Sequence, residues 1–249
     1  MKKFIKKFFK YLLPYNQYFA LSFFWFRFTG GGDREMYLVN SLLKKRRRFL
    51  DIGSNVGIYT YFFSTKFSNV TSFEPLTEIT ARIKELNRDN IEIHNIALSN
   101  CDSYLTFFIP IINGKPITSR ASLESKESPS EKRSVEVKTL DSFGFTDVDL
   151  IKIDVEGHEY SVLEGSLSTI RRCKPILLLE IEQRHIKKQI EEVFQTISKL
   201  NYVGFFLQNG NLTSIDQFNY ESHQKLYLNN ITSKQYINNF IFIPKDMSP

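Results

Sequence analysis

The sequence predicts an α/β fold, a mainly parallel sheet covered by helices on both faces, and three observations lead to it. Strand-like apolar runs alternate with helix-like segments through most of the chain. Of the first five runs, four end in a carboxylate, at Asp51, Glu74, Asp154 and Glu180 or Glu182, and ligands of such sheets bind beyond the carboxyl ends of the strands. The 249 residues are 42% hydrophobic, enough for one sizeable core. One domain over residues 30–249 is expected, preceded by an extension, residues 1–29.

Taken in order, Arg34 to Leu43 reads as a helix and Phe49 to Asp51 as the end of the first strand. A helix-like segment runs from Gly57 to Phe67, and Val70 to Glu74 is a second strand stopped by Pro75. Ile79, Ile83 and Leu86 mark one face of a helix that stops near Asn90. Ile91 to Leu98 alternates and predicts a third strand; Tyr104 to Ile109 and Val135 to Thr139 predict an antiparallel excursion. Between them, Asn113 to Arg133 is rich in Ser, Lys, Glu and Pro and lacks periodicity, which points to a substrate-facing loop. Val148 to Asp154 and Pro175 to Glu182 are the fourth and fifth strands, flanking a helix that carries Val162, Leu163, Leu167 and Ile170. A helical stripe from Ile186 to Leu200, a strand from Tyr202 to Leu207 and a last strand from Asn239 to Pro244 complete the pattern.

Charge is unevenly placed. Residues 1–50 carry a net +10 and the remainder a net −4, which argues against a nucleic-acid-binding core and for an attachment surface at one end. Lysines 2, 3, 6, 7 and 10 alternate with Phe4, Ile5, Phe8 and Phe9 in a helical amphipathic pattern. Two readings of residues 1–28 stay open: an interfacial helix on anionic lipid, or a helix that packs its Phe residues and Trp25 on the body or on a second copy. The apolar run Tyr18 to Phe26 falls short of the roughly 20 residues that span a bilayer, and no small-residue cleavage site follows it, so no signal peptide is expected. Lys44 to Arg48 reads as a solvated strand entrance. Cys101 and Cys173 are far apart and have no ligand-spaced neighbours, so neither a disulfide framework nor a zinc site is expected, and the simplest compartment is the cytoplasm.

The chemistry gathers at two places. Asp51-Ile-Gly53-Ser54-Asn55-Val-Gly57 describes a tight turn between a strand and a helix, where glycines let the main chain approach a ligand. Glu74 follows Asp51 at about the spacing from which an acid accepts hydrogen bonds from a nucleotide ribose. Then Asp154, Glu156, His158 and Glu159 fall within six residues around Gly157, a histidine among carboxylates at the mouth of the sheet.

With Phe73-Glu-Pro75, Ala97-Leu-Ser99, Thr139-Leu-Asp-Ser142 and Leu179-Glu180, these segments resemble the FkbM-type S-adenosylmethionine-dependent methyltransferases over about residues 30–245. Ile151-Lys-Ile-Asp-Val-Glu-Gly-His-Glu159 is the most specific of them, and Ser54 stands where the family often has Ala. The resemblance implies a class I methyltransferase (Rossmann-like) sheet of order 3-2-1-4-5-7-6 with the last strand antiparallel, and methyl transfer to a hydroxyl of a sugar, glycan or related metabolite. It implies that the turn from Asp51 through Gly53, Ser54 and Asn55 to Gly57 holds the methionine end of the cofactor. Glu74 would take its ribose, Asn95 to Ala97 its adenine, and Asp154 would face the sulfonium. His158 is the expected base, with Asp154 and Glu156 as orienting or alternative bases.

A magnesium site from Asp154, Glu156, Glu180 and Glu182 is conceivable but not expected. A nicotinamide oxidoreductase, a non-catalytic membrane-surface protein of the same fold and, more weakly, a nucleic-acid methylase are the competing readings. A homo-oligomer is also open.

Overall fold

The computed structural model describes residues 13–28, 34–125 and 129–247. The lysine-rich pattern of residues 2–10 lies outside them. Helix α1 (Tyr15–Phe28) packs Phe19 and Phe23 on the Tyr61 ring, with centroids 5.2 and 5.4 Å apart, so this part of the extension docks on the body. Trp25 is half exposed. Among the described residues no helix is long and apolar enough to cross a membrane.

The main sheet is built from β1 (Arg48–Ile52), β2 (Asn69–Phe73), β3 (Ile91–His94), β8 (Val148–Ile153), β9 (Ile176–Glu180), β10 (Tyr202–Gln208), β11 (Asn211–Ser214) and β12 (Asn239–Pro244). Their order is β11-β10-β12-β9-β8-β1-β2-β3. The strands from β3 to β9 are parallel and β12 runs antiparallel to both β9 and β10. This is the expected order with one addition, the edge strand β11, which folds back on β10. Helices α2 (Arg34–Leu42) and α3 (Ile58–Ser64) help cover one face, and α4 (Thr77–Lys84) packs Ile79 and Ile83 beside β3. The other is covered by α5 (Glu159–Glu164), α6 (Leu167–Cys173) and α7 (Ile190–Ser198). Leu150, Ile151, Ile153 and Leu177 to Leu179 are buried, as central strands covered on both faces require. Truncating one such side chain to Ala costs about 2–5 kcal/mol.

Three expectations are corrected. The third strand divides: Ile91–His94 stays in the main sheet, whereas β4 (Ala97–Leu98) pairs with β7 (Ser130–Lys138) in a second sheet of order β4-β7-β5-β6, with β5 (Ser103–Ile112) and β6 (Lys115–Pro116). The single helix expected between the fourth and fifth strands is broken at Gly165, where a Cβ would lie 2.0 Å from the Ser99 carbonyl oxygen. The segment Asn113 to Arg133 is not a structureless loop. It carries β6, a 3-10 turn over Thr118–Arg120, an antiparallel bridge from Ser122 to Phe108 and the start of β7, and Ala121 and Ser122 are buried.

The basic run before β1 is tied rather than merely solvated. Arg47 makes a bidentate pair with Asp149, and Arg48 reaches Asp147 at 2.9 Å, which joins the starts of β1 and β8.

Candidate active site

The site lies beyond the carboxyl ends of β1, β2 and β8. Gly53 leaves β1 with φ +76°, and a Cβ there would sit 1.8 Å from the Asp154 carbonyl oxygen, so only glycine lets the β1 and β8 turns touch. Gly57, at φ +82°, donates its N–H to the Ser54 carbonyl and starts α3. Ser54 is buried and its hydroxyl accepts from Ser72 at 2.7 Å, which pins the turn to β2. Between them Asn55 adopts φ +46° and offers its N–H to Glu74 Oε2 at 3.1 Å.

Glu74 is the floor of the cleft. Its other oxygen accepts from the Leu76 N–H at 3.0 Å, and burial pushes its pKa up to about 7 despite these two bonds. Each carboxylate oxygen keeps a free lone-pair direction. Asn95, expected at the adenine, points elsewhere: it donates to the Glu74 carbonyl at 3.0 Å and accepts from Thr77 at 2.8 Å, while Ala97 and Leu98 line the cleft in its place. The reason is the divided third strand, whose turn the Asn95 side chain ties down.

Asp51 is fully buried beside β8, in register with Lys152. Thr60 donates to its Oδ2 at 2.6 Å, and among the described residues Oδ1 has no hydrogen-bond partner. Burial raises its pKa, and the Lys152 charge partly offsets that. Lys152, which sequence reasoning did not single out, is itself buried; it donates to Asp154 Oδ2 at 2.8 Å and lies 4.7 Å from the centre of the Tyr59 ring. Burial opposes its charge, but Asp154 and Asp51 more than compensate and hold it above the usual lysine value. Asp154 thereby faces the cleft as one half of an ion pair.

The segment after Asp154 turns sharply through Glu156 (φ +58°) and Gly157 (φ +110°). Glu159, fully buried, closes the turn by accepting from the Gly157 N–H at 2.9 Å and the Val155 N–H at 3.3 Å, and burial pushes its pKa up to about 7. His158 lines the cleft, yet both ring nitrogens are engaged. Nδ1 is 2.9 Å from Glu124 Oε1 and Nε2 is 2.9 Å from Ser99 Oγ. A carboxylate only accepts, so Nδ1 is the donor to Glu124. Glu124 also receives Lys187 at 3.0 Å; burial alone would raise its pKa, but the bonds from His158 and Lys187 hold it below the usual carboxylate range. Neither Glu124 nor this use of Ser99 was legible, because the partners lie 34 and 59 residues from His158.

Glu156 lines the cleft and also a neighbouring polar basin of about 510 Å³ bounded by Arg120, Glu180, Glu182, Arg184, His185 and Tyr236. Ser119 is the other residue common to both. Glu182 accepts from Tyr236 at 2.5 Å and from Arg184; burial pushes its pKa up, and these bonds more than reverse that. Among the described residues no three His, Cys, Asp or Glu side chains gather as a metal site.

A mainly parallel sheet with one antiparallel strand next to its last, a glycine turn after β1 and an acid after β2 define a class I methyltransferase-like fold. A family model for the methyltransferase FkbM domain matches residues 51–204, and the chain belongs to that family. Among solved structures it is similar to the FkbM methyltransferase of Methylobacillus flagellatus KT, with TM-score 0.50 and 15% identity, covering 79% of this chain and 43% of that one. The chain thus spans less than half of that relative's length. It is also similar to SMU.1697c, a putative methyltransferase of Streptococcus mutans in complex with SAH (TM-score 0.48, 10% identity, 84% and 94% covered). An rRNA methylase of Streptococcus thermophilus is a further match (TM-score 0.45, 10% identity, 84% and 91% covered). No curated protein sequence matches.

The cofactor of the family is S-adenosylmethionine, and the residues present fit it. The two part-used oxygens of Glu74, at the floor of a cleft that Gly53 and Asn55 line, suit a ribonucleoside with free hydroxyls. Asp154 and the Gly53 to Asn55 turn line the cleft toward β8.

Proposed function

We propose that this protein transfers the methyl group to a hydroxyl of a sugar, glycan or related polyhydroxyl metabolite. The observation that carries the proposal is the junction of the cofactor cleft with the basin, whose carboxylates, arginines, Tyr236 and Asn238 offer donors and acceptors to several hydroxyls at once. When bound, S-adenosylmethionine supplies a methyl carbon on a positively charged sulfur that departs as a neutral thioether. The protein's part is to bind, orient and remove a proton. Gly53, Ser54, Asn55 and Gly57 shape the cradle, Glu74 accepts from the ribose, Ala97 borders the base, and Asp154, held by Lys152, faces the reacting end. Asn95 acts through Glu74 and Thr77, and Asp51 through Lys152.

The test has two parts. Calorimetric titration is expected to show binding of S-adenosylhomocysteine and none of NAD; the reverse would overturn the methyltransferase reading. Methyl-labelled donor incubated with glycosides and sugar phosphates should then leave label that survives mild base, as an ether does. Label released by base would mark a carboxyl acceptor instead.

Peripheral membrane contact is supported by the exposure of Phe24 and Trp25 on α1, 61% and 50%, and by the five lysines that the sequence carries at positions 2 to 10. Full-length protein should co-sediment with anionic but not zwitterionic vesicles, and replacing Lys2, Lys3, Lys6 and Lys7 by Ser should abolish it. Equal sedimentation of both proteins would end this reading.

A further inference from the structure

We infer that Glu156 takes the acceptor's hydroxyl proton and that His185 is the residue that positions it, a pair set where the cofactor cleft opens into the basin; the inference rests on the hydroxyl-methylating reading above. In the transfer, the oxygen–hydrogen bond breaks and a new oxygen–carbon bond forms. The electron pair of the carbon–sulfur bond stays with sulfur. One proton must therefore leave the acceptor oxygen, and its receiver has to lie within hydrogen-bond reach of both spaces.

Three side chains compete for that role, and their surroundings separate them. Asp154 is committed to the buried ammonium of Lys152 at 2.8 Å. His158 has Glu124 on one nitrogen and Ser99 on the other, each at 2.9 Å, so proton transfer to it would first require breaking an internal bond. Glu156 alone of the three borders both the cleft and the basin. It is also held in an uncommon conformation. A φ of +58° is a left-handed geometry that is unfavourable for a non-glycine residue, and such strain collects at functional sites.

The neighbouring loop shows what the strain achieves. Gly157 lies against the backbone of His185, so close that a Cβ would come within 2.5 Å of the His185 carbonyl oxygen. That approach brings His185 Nδ1 to 3.4 Å from Glu156 Oε2. The ring belongs to the segment after β9, far from Glu156 in sequence, and it too borders the basin. Arg120 from the excursion, Glu180, Glu182 and Arg184 from the end of β9, and Tyr236 are the other charged or titratable groups around that space. An imidazole beside the carboxylate orients it and offers the proton a path away from the reacting oxygen.

The test begins with a measurement that needs no acceptor. In full-length protein the four histidine rings are titrated by NMR, and Glu156→Gln should lower the His185 pKa by about one unit, since a carboxylate at this range stabilises the imidazolium. An unchanged His185 would overturn the pairing. Turnover is then followed as base-stable label. Glu156→Gln should lower kcat at least 100-fold while S-adenosylhomocysteine affinity stays within twofold. His185→Asn should lower kcat about tenfold and move the acid limb of the kcat–pH profile, and His185→Gln should restore part of the loss. Near-normal kcat in Glu156→Gln, or a larger loss in His158→Asn, would overturn the assignment and leave the methyltransferase reading intact. Wild-type protein that binds S-adenosylhomocysteine but makes no base-stable label would overturn the hydroxyl reading itself.

Discussion

Around the cofactor cleft the backbone decides the shape: Gly53 and Asn55 hold positive φ, the β1 and β8 turns touch through main-chain atoms, and Glu74 is fixed by two amide N–H groups. Around the basin the side chains decide it. Glu182 joins Arg184 to Tyr236, and Asn238 donates to Glu180 at 2.7 Å. A cradle made of backbone fits one ligand and tolerates little change. A wall made of side-chain pairs can be rewritten one residue at a time. Within one molecule, the cofactor cleft and the basin beside it are thus built by different physics.

The sharpest way to break that contrast is Gly53→Ala. With a Cβ placed 1.8 Å from a carbonyl oxygen, loss of S-adenosylhomocysteine binding is expected in calorimetry, together with a stability loss of about 3 kcal/mol or more in denaturant unfolding. Next comes pH. Glu159 has a pKa near 7 in the fold against an ordinary 4.5, so the folded state holds its proton more tightly than the unfolded chain. Its contribution to stability is therefore full below about 4.5 and lost as pH rises through about 7. Glu159→Gln should remove that share of the pH dependence, up to about 3 kcal/mol across the window, read from unfolding midpoints.

Glu74 carries the same shift with a different readout. Ribose hydroxyls donate to its ionised form, so S-adenosylhomocysteine should bind more tightly as pH rises past about 7 in calorimetric titrations, and Glu74→Gln should flatten that profile. The smallest effect is expected on the side-chain wall. Asn238→Ala removes the bond to Glu180 Oε1 and should cost about 1 kcal/mol in stability, with cofactor affinity unchanged. A loss of cofactor binding there would show that the two halves are not separable.

What could be seen in the sequence follows the same division. Asp51 to Gly57, Glu74 and Asp154 to Glu159 are contiguous or lie at a fixed spacing, since a strand, a turn and a helix place them by local geometry alone. The sheet order came from the resemblance those segments carry, and only the hairpin strand β11 was added. The third strand was drawn too long because apolar residues recur from Ile91 to Leu98, although their phase slips at His94-Asn95, where the chain leaves one sheet for another. Lys152 is hidden as a single polar residue in an apolar strand. Glu124 and His185 have no pattern at all, and the segment Ala97-Leu-Ser99 does not reveal what Ser99 bonds to, since tertiary contact alone gives these residues their partners.

The division of the third strand reaches further than Asn95. The Ser99 N–H donates to the Lys138 carbonyl at 2.9 Å, and the Thr139 N–H donates to Asp102 Oδ1 at 2.7 Å, so the two ends of the stretch between them are fastened to each other at its base. A stretch closed in this way is a cassette. Its interior can differ in length while the main sheet keeps its register, and a change in it reaches the cleft directly, since Thr118, Ala121 and Leu123 line that cleft and Ser122 donates to the Val155 carbonyl at 3.2 Å.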